Sequence, residues 1–97
     1  MNLATIETDY ATDQALEISL MTLSLNNLAP GEKGIVKNLK TSAISLRLRL
    51  LEMGLTTGTV VEFIRSAPMG DPIEISVRGY RLSLRREEAA SIIIRRV

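Results

Sequence analysis

Past residue 28 the chain is a series of short apolar runs separated by turn residues, the pattern of small strands joined closely. Ala29-Pro30-Gly31-Glu32 is the first separator, where proline fixes one φ and glycine supplies the positive φ of a type II turn. Gly34-Ile35-Val36-Lys37-Asn38-Leu39, short and β-branched at its centre, predicts a strand. After the turn at Thr57-Gly58, Val61 and Phe63 alternate with Glu62 and predict a strand over 59–66. Ala67-Pro68-Met69-Gly70-Asp71-Pro72 breaks the pattern and predicts a loop. Ile73, Ile75 and Val77 then alternate with polar residues, as do Leu82 and Leu84, and only Arg78-Gly79, or a residue more, separates the runs, which predicts a tight hairpin. Arg86-Glu87-Glu88-Ala89-Ala90 predicts a short helical turn with acids near its start, where the helix dipole favours them. Ile92-Ile93-Ile94 predicts the last strand.

Between the first two of these strands the periods conflict. Ile44, Leu46, Leu48 and Leu50 alternate with Ser45, Arg47 and Arg49 as a strand would, yet Leu and Arg are strong helix formers. Thr41 or Ser42 can cap a helix, and Gly54 stands where a left-handed C-terminal residue belongs. The balance predicts a helix over 42–53. Ile44, Leu48, Leu51 and Leu55 recur at helical spacing and are expected to face the core. Leu46, Leu50 and Met53 then form a second apolar stripe, either wrapped by the barrel or covered by a partner or a second copy. Residues 1–10 show no sustained period and are expected to be a flexible tail, while 14–25 fits helical and strand patterns equally. Five short strands and one substantial helix in roughly 70 residues predict a mainly β fold, a small, strongly bent sheet or five-stranded barrel.

Composition narrows the chemistry. The 97 residues are 45% hydrophobic but 3% aromatic, so a single core of Leu, Ile and Val is expected. Without Cys or His, disulfides, thiolate or imidazole metal sites and the usual nucleophile–base pairs are excluded. Glu52, Glu62, Asp71, Glu74, Glu87 and Glu88 suggest solvated charges rather than a catalytic pair, and neither carboxylate clusters nor phosphate-binding glycine motifs occur. The expectation is a protein that is not an enzyme, with no metal site and no cofactor of its own.

Charge is lopsided. Residues 1–27 carry four acids (Glu7, Asp9, Asp13, Glu17) and no base, and 28–97 carry 12 bases against seven acids, a formal +5. No apolar run is long enough to span a bilayer, and the acidic N-terminus does not resemble a secretory signal, so a cytoplasmic protein without stable membrane insertion is expected. Arg78, Arg81, Arg85, Arg86, Arg95 and Arg96 could form a basic face for nucleic acid. Only Tyr10, Phe63 and Tyr80 could serve as stacking platforms, which leaves nucleic acid as the alternative reading. The simpler account places these arginines at outward positions of amphipathic strands or in a protein interface.

Met21-Thr22-Leu23-Ser24, Leu28-Ala29-Pro30-Gly31-Glu32-Lys33-Gly34, Leu50-Leu51-Glu52-Met53-Gly54-Leu55-Thr56-Thr57-Gly58-Thr59, the Ala67–Pro72 loop and Val77-Arg78-Gly79-Tyr80-Arg81-Leu82-Ser83-Leu84-Arg85 occur in order. Together they resemble the FeoA family, ferrous iron transport protein A, over residues 21–97. Residues 1–20 are an extension that the resemblance does not cover. The resemblance implies an SH3-like β-barrel that assists a polytopic ferrous iron transporter with a cytosolic GTP-hydrolysing domain. Similar barrels end metal-dependent repressors of the diphtheria toxin repressor type, but no DNA-binding helix-turn-helix precedes this one. Contacts to the transporter's cytosolic domain are expected from Leu46, Leu50 and Met53, from Arg47 and Arg49, from Met69 and Asp71 in the loop, and from Arg78, Tyr80 and Arg81 at the hairpin. Weak self-association, through the helix stripe or an open barrel edge, is compatible with that role.

Overall fold

The computed structural model describes residues 22–97, so the expected flexible tail lies outside the described residues. Six strands form one antiparallel sheet: β1 (Thr22–Ser24), β2 (Lys33–Leu39), β3 (Val60–Ser66), β4 (Ile73–Val77), β5 (Tyr80–Leu84) and β6 (Ile92–Arg96). Their spatial order is β1-β6-β2-β3-β4-β5. Helix α1 (Ile44–Glu52) follows β2, helix α2 (Arg86–Ala89) links β5 to β6, and a 3-10 turn at Leu25–Asn27 follows β1. The sixth strand, β1, was not expected; at three residues it is too short to display an alternation.

The turns form as their residues dictate. Glu32 N–H donates to Ala29 O at 3.0 Å, closing the Pro-Gly turn. In the β4–β5 hairpin Val77 pairs with Tyr80, and the two residues between them, Arg78 (φ 50) and Gly79 (φ 88), both take the left-handed conformation of a type I′ turn. Glycine adopts this freely. Arg78 does so at a cost that its side-chain contacts offset.

Register irregularities lie between Val36 and Asn38 in β2 and between Phe63 and Arg65 in β3. A bulge inserts one residue and bends its strand, which is why Val36 and Leu39, three apart, both face the core. That core is aliphatic around a single ring: Phe63 lies among Val36, Leu50, Leu55, Val61, Ile75, Val77, Ile92 and Ile94, all buried. Where β1 and β5 leave the sheet open at its two edges, side chains tie the adjoining segments. Arg86 Nη1 donates to Asn26 O at 3.1 Å, and Asn26 Nδ2 donates to Arg86 O at 3.4 Å.

Helix α1 corrects the expected facing of its two stripes. Leu50 is fully buried, with Leu46 and Met53 packed partly buried against the core. Ile44, Leu48 and Leu51 are instead 73%, 53% and 39% exposed. The cause is the helix end. Gly54 (φ +92) stops the helix, Leu55 N–H donates to Leu50 O at 3.1 Å, and Gly54 N–H donates to Leu51 O at 3.0 Å. This Schellman arrangement turns the chain back, so buried Leu55 joins Leu50 instead of continuing the Leu48–Leu51 face. The N-terminus differs too, because Ala43 is the cap residue and neither Thr41 nor Ser42 takes that position. Thr41 Oγ1 accepts a hydrogen bond from Ala43 N–H at 3.1 Å.

Candidate docking surface

The polar side chains expected to meet a partner mostly hold α1 in place. Arg47 Nη2 donates to Leu39 O at 2.8 Å and to Thr41 O at 3.2 Å, fastening the helix start to the end of β2. Arg49 forms an ion pair with Glu88 of α2. Glu88, read from sequence as a solvated charge, is in fact only 8% exposed, and it also accepts from Arg85 N–H at 3.0 Å. A buried carboxylate needs such partners, since leaving it unpaired costs several kcal/mol.

At the other end of α1 the hairpin closes over the glycine stop. Tyr80 donates its hydroxyl to Met53 O at 2.5 Å. Arg78 reaches Gly54 O at 3.4 Å and the hydroxyls of Thr56 and Thr59, each at 3.1 Å. A Cβ on Gly54 would stand 3.2 Å from Tyr80 Oη and 3.4 Å from the Arg78 side chain. Gly54 is therefore required for its φ and for this close approach.

The loop residues divide. Asp71 Oδ1 accepts from Arg86 N–H at 3.0 Å, while Arg86 Nε donates to Gly70 O, so Arg86 anchors the loop as well as the N-terminal turn. Met69 projects from this pinned loop with 93% of its surface exposed. Arg81 pairs with Glu74 at 3.2 Å, and Arg65 pairs with the same carboxylate at 3.0 Å. The Arg65 hydrogen bond, joined by Arg81, holds Glu74 below the usual carboxylate range. Glu74 lines a groove of about 240 Å³ together with Arg65, Ser66, Pro68, Pro72 and Ser83. A carboxylate whose charged form is favoured by two guanidinium groups is a weaker base than a free one.

Of the six arginines expected to form a basic face, Arg85 and Arg95 are exposed and form no ion pair among the described residues, and the other four have acceptors. Arg78, Arg81 and Arg86 bind acceptors within the domain, and Arg96 lies 3.4 Å from Glu32. What α1 leaves bare is Ile44, Leu48 and Leu51 at i, i+4 and i+7, while the half-exposed Tyr80 meets the C-terminal end of the same helix through Met53 O. Of the residues expected at the interface, Arg47, Arg49, Met69, Asp71, Arg78, Tyr80 and Arg81 keep exposed surface, Leu50 is removed to the core, and Leu46 and Met53 are partly buried against it. Gly54 was the signal that could have assigned the faces correctly.

Fold and surface define a small SH3-like β-barrel with one unpartnered apolar helix face. The chain belongs to the FeoA domain family, whose model matches residues 23–96. It is 33% identical over 70 residues to an Fe(2+) transport protein A/Fe(2+) transporter FeoB fusion protein of Porphyromonas gingivalis. That match takes in 72% of this chain and 8% of the fusion protein, so the chain spans a small part of its relative. The crystal structure of an iron uptake regulatory protein, FeoA, is similar at TM-score 0.71 and 36% identity, over 79% of this chain and 99% of that one. FeoA of Stenotrophomonas maltophilia, described as an SH3 domain protein and solved with zinc, matches at TM-score 0.67 over 74% of this chain and 88% of its own. At 24% identity that likeness bears on the fold alone, as does TM-score 0.73 at 13% identity over 78% of this chain and 37% of a manganese-dependent transcriptional repressor.

The family is associated with ferrous iron transport and is one of small accessory domains. Among the described residues no helix is long and apolar enough to cross a membrane. Nor do three Asp, Glu, His or Cys side chains converge among the described residues.

Proposed function

We propose that this chain is a cytoplasmic accessory protein of ferrous iron transport that docks through the Ile44–Leu48–Leu51 face of α1 on the cytosolic, GTP-hydrolysing part of a membrane iron transporter and modulates it. The carrying observation is the division of labour on α1. Its arginines are spent on fixing the helix, and a rigid aliphatic stripe is left facing outward. Contiguous exposed apolar surface of this kind marks an interface. The fusion relative supports the choice of partner, since a protein named for both components carries a counterpart of this domain. Covalent linkage raises effective concentration, which suits a contact too small to be obligate. Tyr80, bonded to Met53 O at the C-terminal end of α1, adds an exposed aromatic of the type interfaces favour.

Modulation requires that the domain bind two states of the transporter unequally. Calorimetric titration of the full chain into the isolated cytosolic domain of the matching transporter, with and without guanine nucleotide and at two salt concentrations, tests this. Nucleotide-dependent affinity with a negative heat-capacity change and little salt dependence is the expected result, because burial of aliphatic surface produces it. Absence of binding under all four conditions would contradict the proposal.

A further inference from the structure

The sheet ends at β5 in an edge left unpaired among the described residues. The other edge, β1, is three residues long, whereas β5 has five and pairs with β4 without a register shift. In a two-residue hairpin the residues flanking the turn exchange both backbone bonds, and bonded pairs then alternate with non-bonded ones. Val77–Tyr80, Ile75–Leu82 and Ile73–Leu84 are therefore the bonded pairs. Arg81 and Ser83, opposite Ser76 and Glu74, turn their N–H and C=O groups away from β4, and these groups find no other backbone partner among the described residues. A regular strand with such a free row is a template for one more strand.

The side chains along this edge restrict what can join it. Arg81 and Ser83 are exposed, while Leu82 and Leu84 turn toward the core. Arg85, next on the outward side, has extended backbone (φ −67, ψ 146), is exposed and forms no ion pair among the described residues. Residues 80–85 hold no acid. One strand inward, Arg81 and Arg65 share the single carboxylate of Glu74. A second copy adding its own β5 antiparallel, with Arg81 of each opposite Ser83 of the other, would set the two Arg81 side chains diagonally on one face, where like charges repel. The cations thus disfavour self-pairing and favour an acidic strand.

We propose that β5 accepts an extended acidic segment of another protein as a further antiparallel strand, bonded to the main chain of Arg81 and Ser83. Guest residues opposite Arg81, Ser83 and Arg85 share the outer face with the two arginines and are the acidic ones. Those between them lie on the side of Leu82 and are apolar. The row Arg65, Glu74, Ser83 leads from the groove beside Glu74 to this edge, which leaves space for the middle acid. Main-chain bonds supply the attachment and the alternating charge supplies the selectivity.

Amide NMR of the full chain, titrated with the blocked peptide acetyl-Glu-Val-Glu-Val-Glu-amide, tests this. Saturable shifts and slowed hydrogen exchange at Arg81 and Ser83 are expected, with Leu48 unchanged. N-methylation of the central glutamate removes a donor aimed at β5 and keeps every charge, so it should weaken binding about tenfold. N-methylation of the second valine, whose N–H points away from β5, should leave affinity as it was. The counterpart with lysine in place of glutamate should not bind. Equal effects of the two methylations, or shifts centred away from β5, would reduce the contact to charge attraction, and no shift at all would show that the edge is not a receptor; each overturns the proposal. So would Arg81 and Ser83 amides already protected in the protein alone, by a second copy where dilution removes the protection and by the chain's own acidic N-terminal residues where it does not. Because the edge shares no residue with the Ile44–Leu48–Leu51 face, failure here leaves the docking reading untouched.

Discussion

The two sides of α1 carry the same kind of residue and have opposite fates. Leu46, Leu50 and Met53 enter the core, while Ile44, Leu48 and Leu51 stay in water. Spacing alone could not separate them, since each stripe satisfies the helical period. What separates them lies outside the helix: the glycine stop that folds Leu55 against Leu50, the Arg47 and Arg49 tethers, and the hairpin that closes over Gly54. An apolar stripe is a core face only when the residues flanking the helix turn it inward. The stripe left over is available for another molecule.

Substitution should expose the contrast most strongly at its centre. Leu50→Ala is expected to destabilise the domain by about 2–5 kcal/mol in urea unfolding, because it opens a cavity in a filled core. Leu48→Ala, two residues away in sequence, should stay within about 0.5 kcal/mol. Equal costs at the two positions would erase the distinction. Gly54→Ala comes next, at about 1–2 kcal/mol, from a left-handed φ that alanine resists and a Cβ crowded by Tyr80. The companion Tyr80→Phe removes only the hydrogen bond to Met53 O and should cost about 0.5–1.5 kcal/mol. If thermal melts of the two variants coincide, the glycine matters only through the clasp.

The smallest effect is electrostatic and away from α1. Glu74 titrates below its ordinary value, so its ion pairs stabilise the fold above the ordinary carboxylate pKa, and that contribution is lost as pH falls through the lowered one. Glu74→Gln should reduce stability slightly at neutral pH and converge with the parent in acid. The pair is at the surface and added salt should shrink the difference further. A parent and variant that diverge as the pH falls would contradict this sign.

Much of the fold was legible in the sequence. Strand alternation at Ile73–Val77, the Arg78-Gly79 turn and the Pro-Gly turn each rest on a local rule, and each forms as expected. Local rules failed where a partner distant in sequence decides. Glu88 looks like any helix-start acid until Arg49, 39 residues away, is placed beside it. Arg86 looks like part of a basic face until its carbonyl acceptors at Gly70 and Asn26 are in view. The facing of α1 failed for a different reason, because Leu55 was counted on a helical face that ends before it at Gly54. β1 escaped because three residues hold no period.

The docking account rests on the outward stripe, and one paired measurement tests it directly. The full-length chain and its Ile44→Glu, Leu48→Glu variant would be titrated into the transporter's cytosolic domain after confirming that both unfold at the same urea midpoint. The account predicts that the variant keeps its fold and loses measurable binding. Undiminished affinity in the folded variant would contradict it and move the contact to another surface.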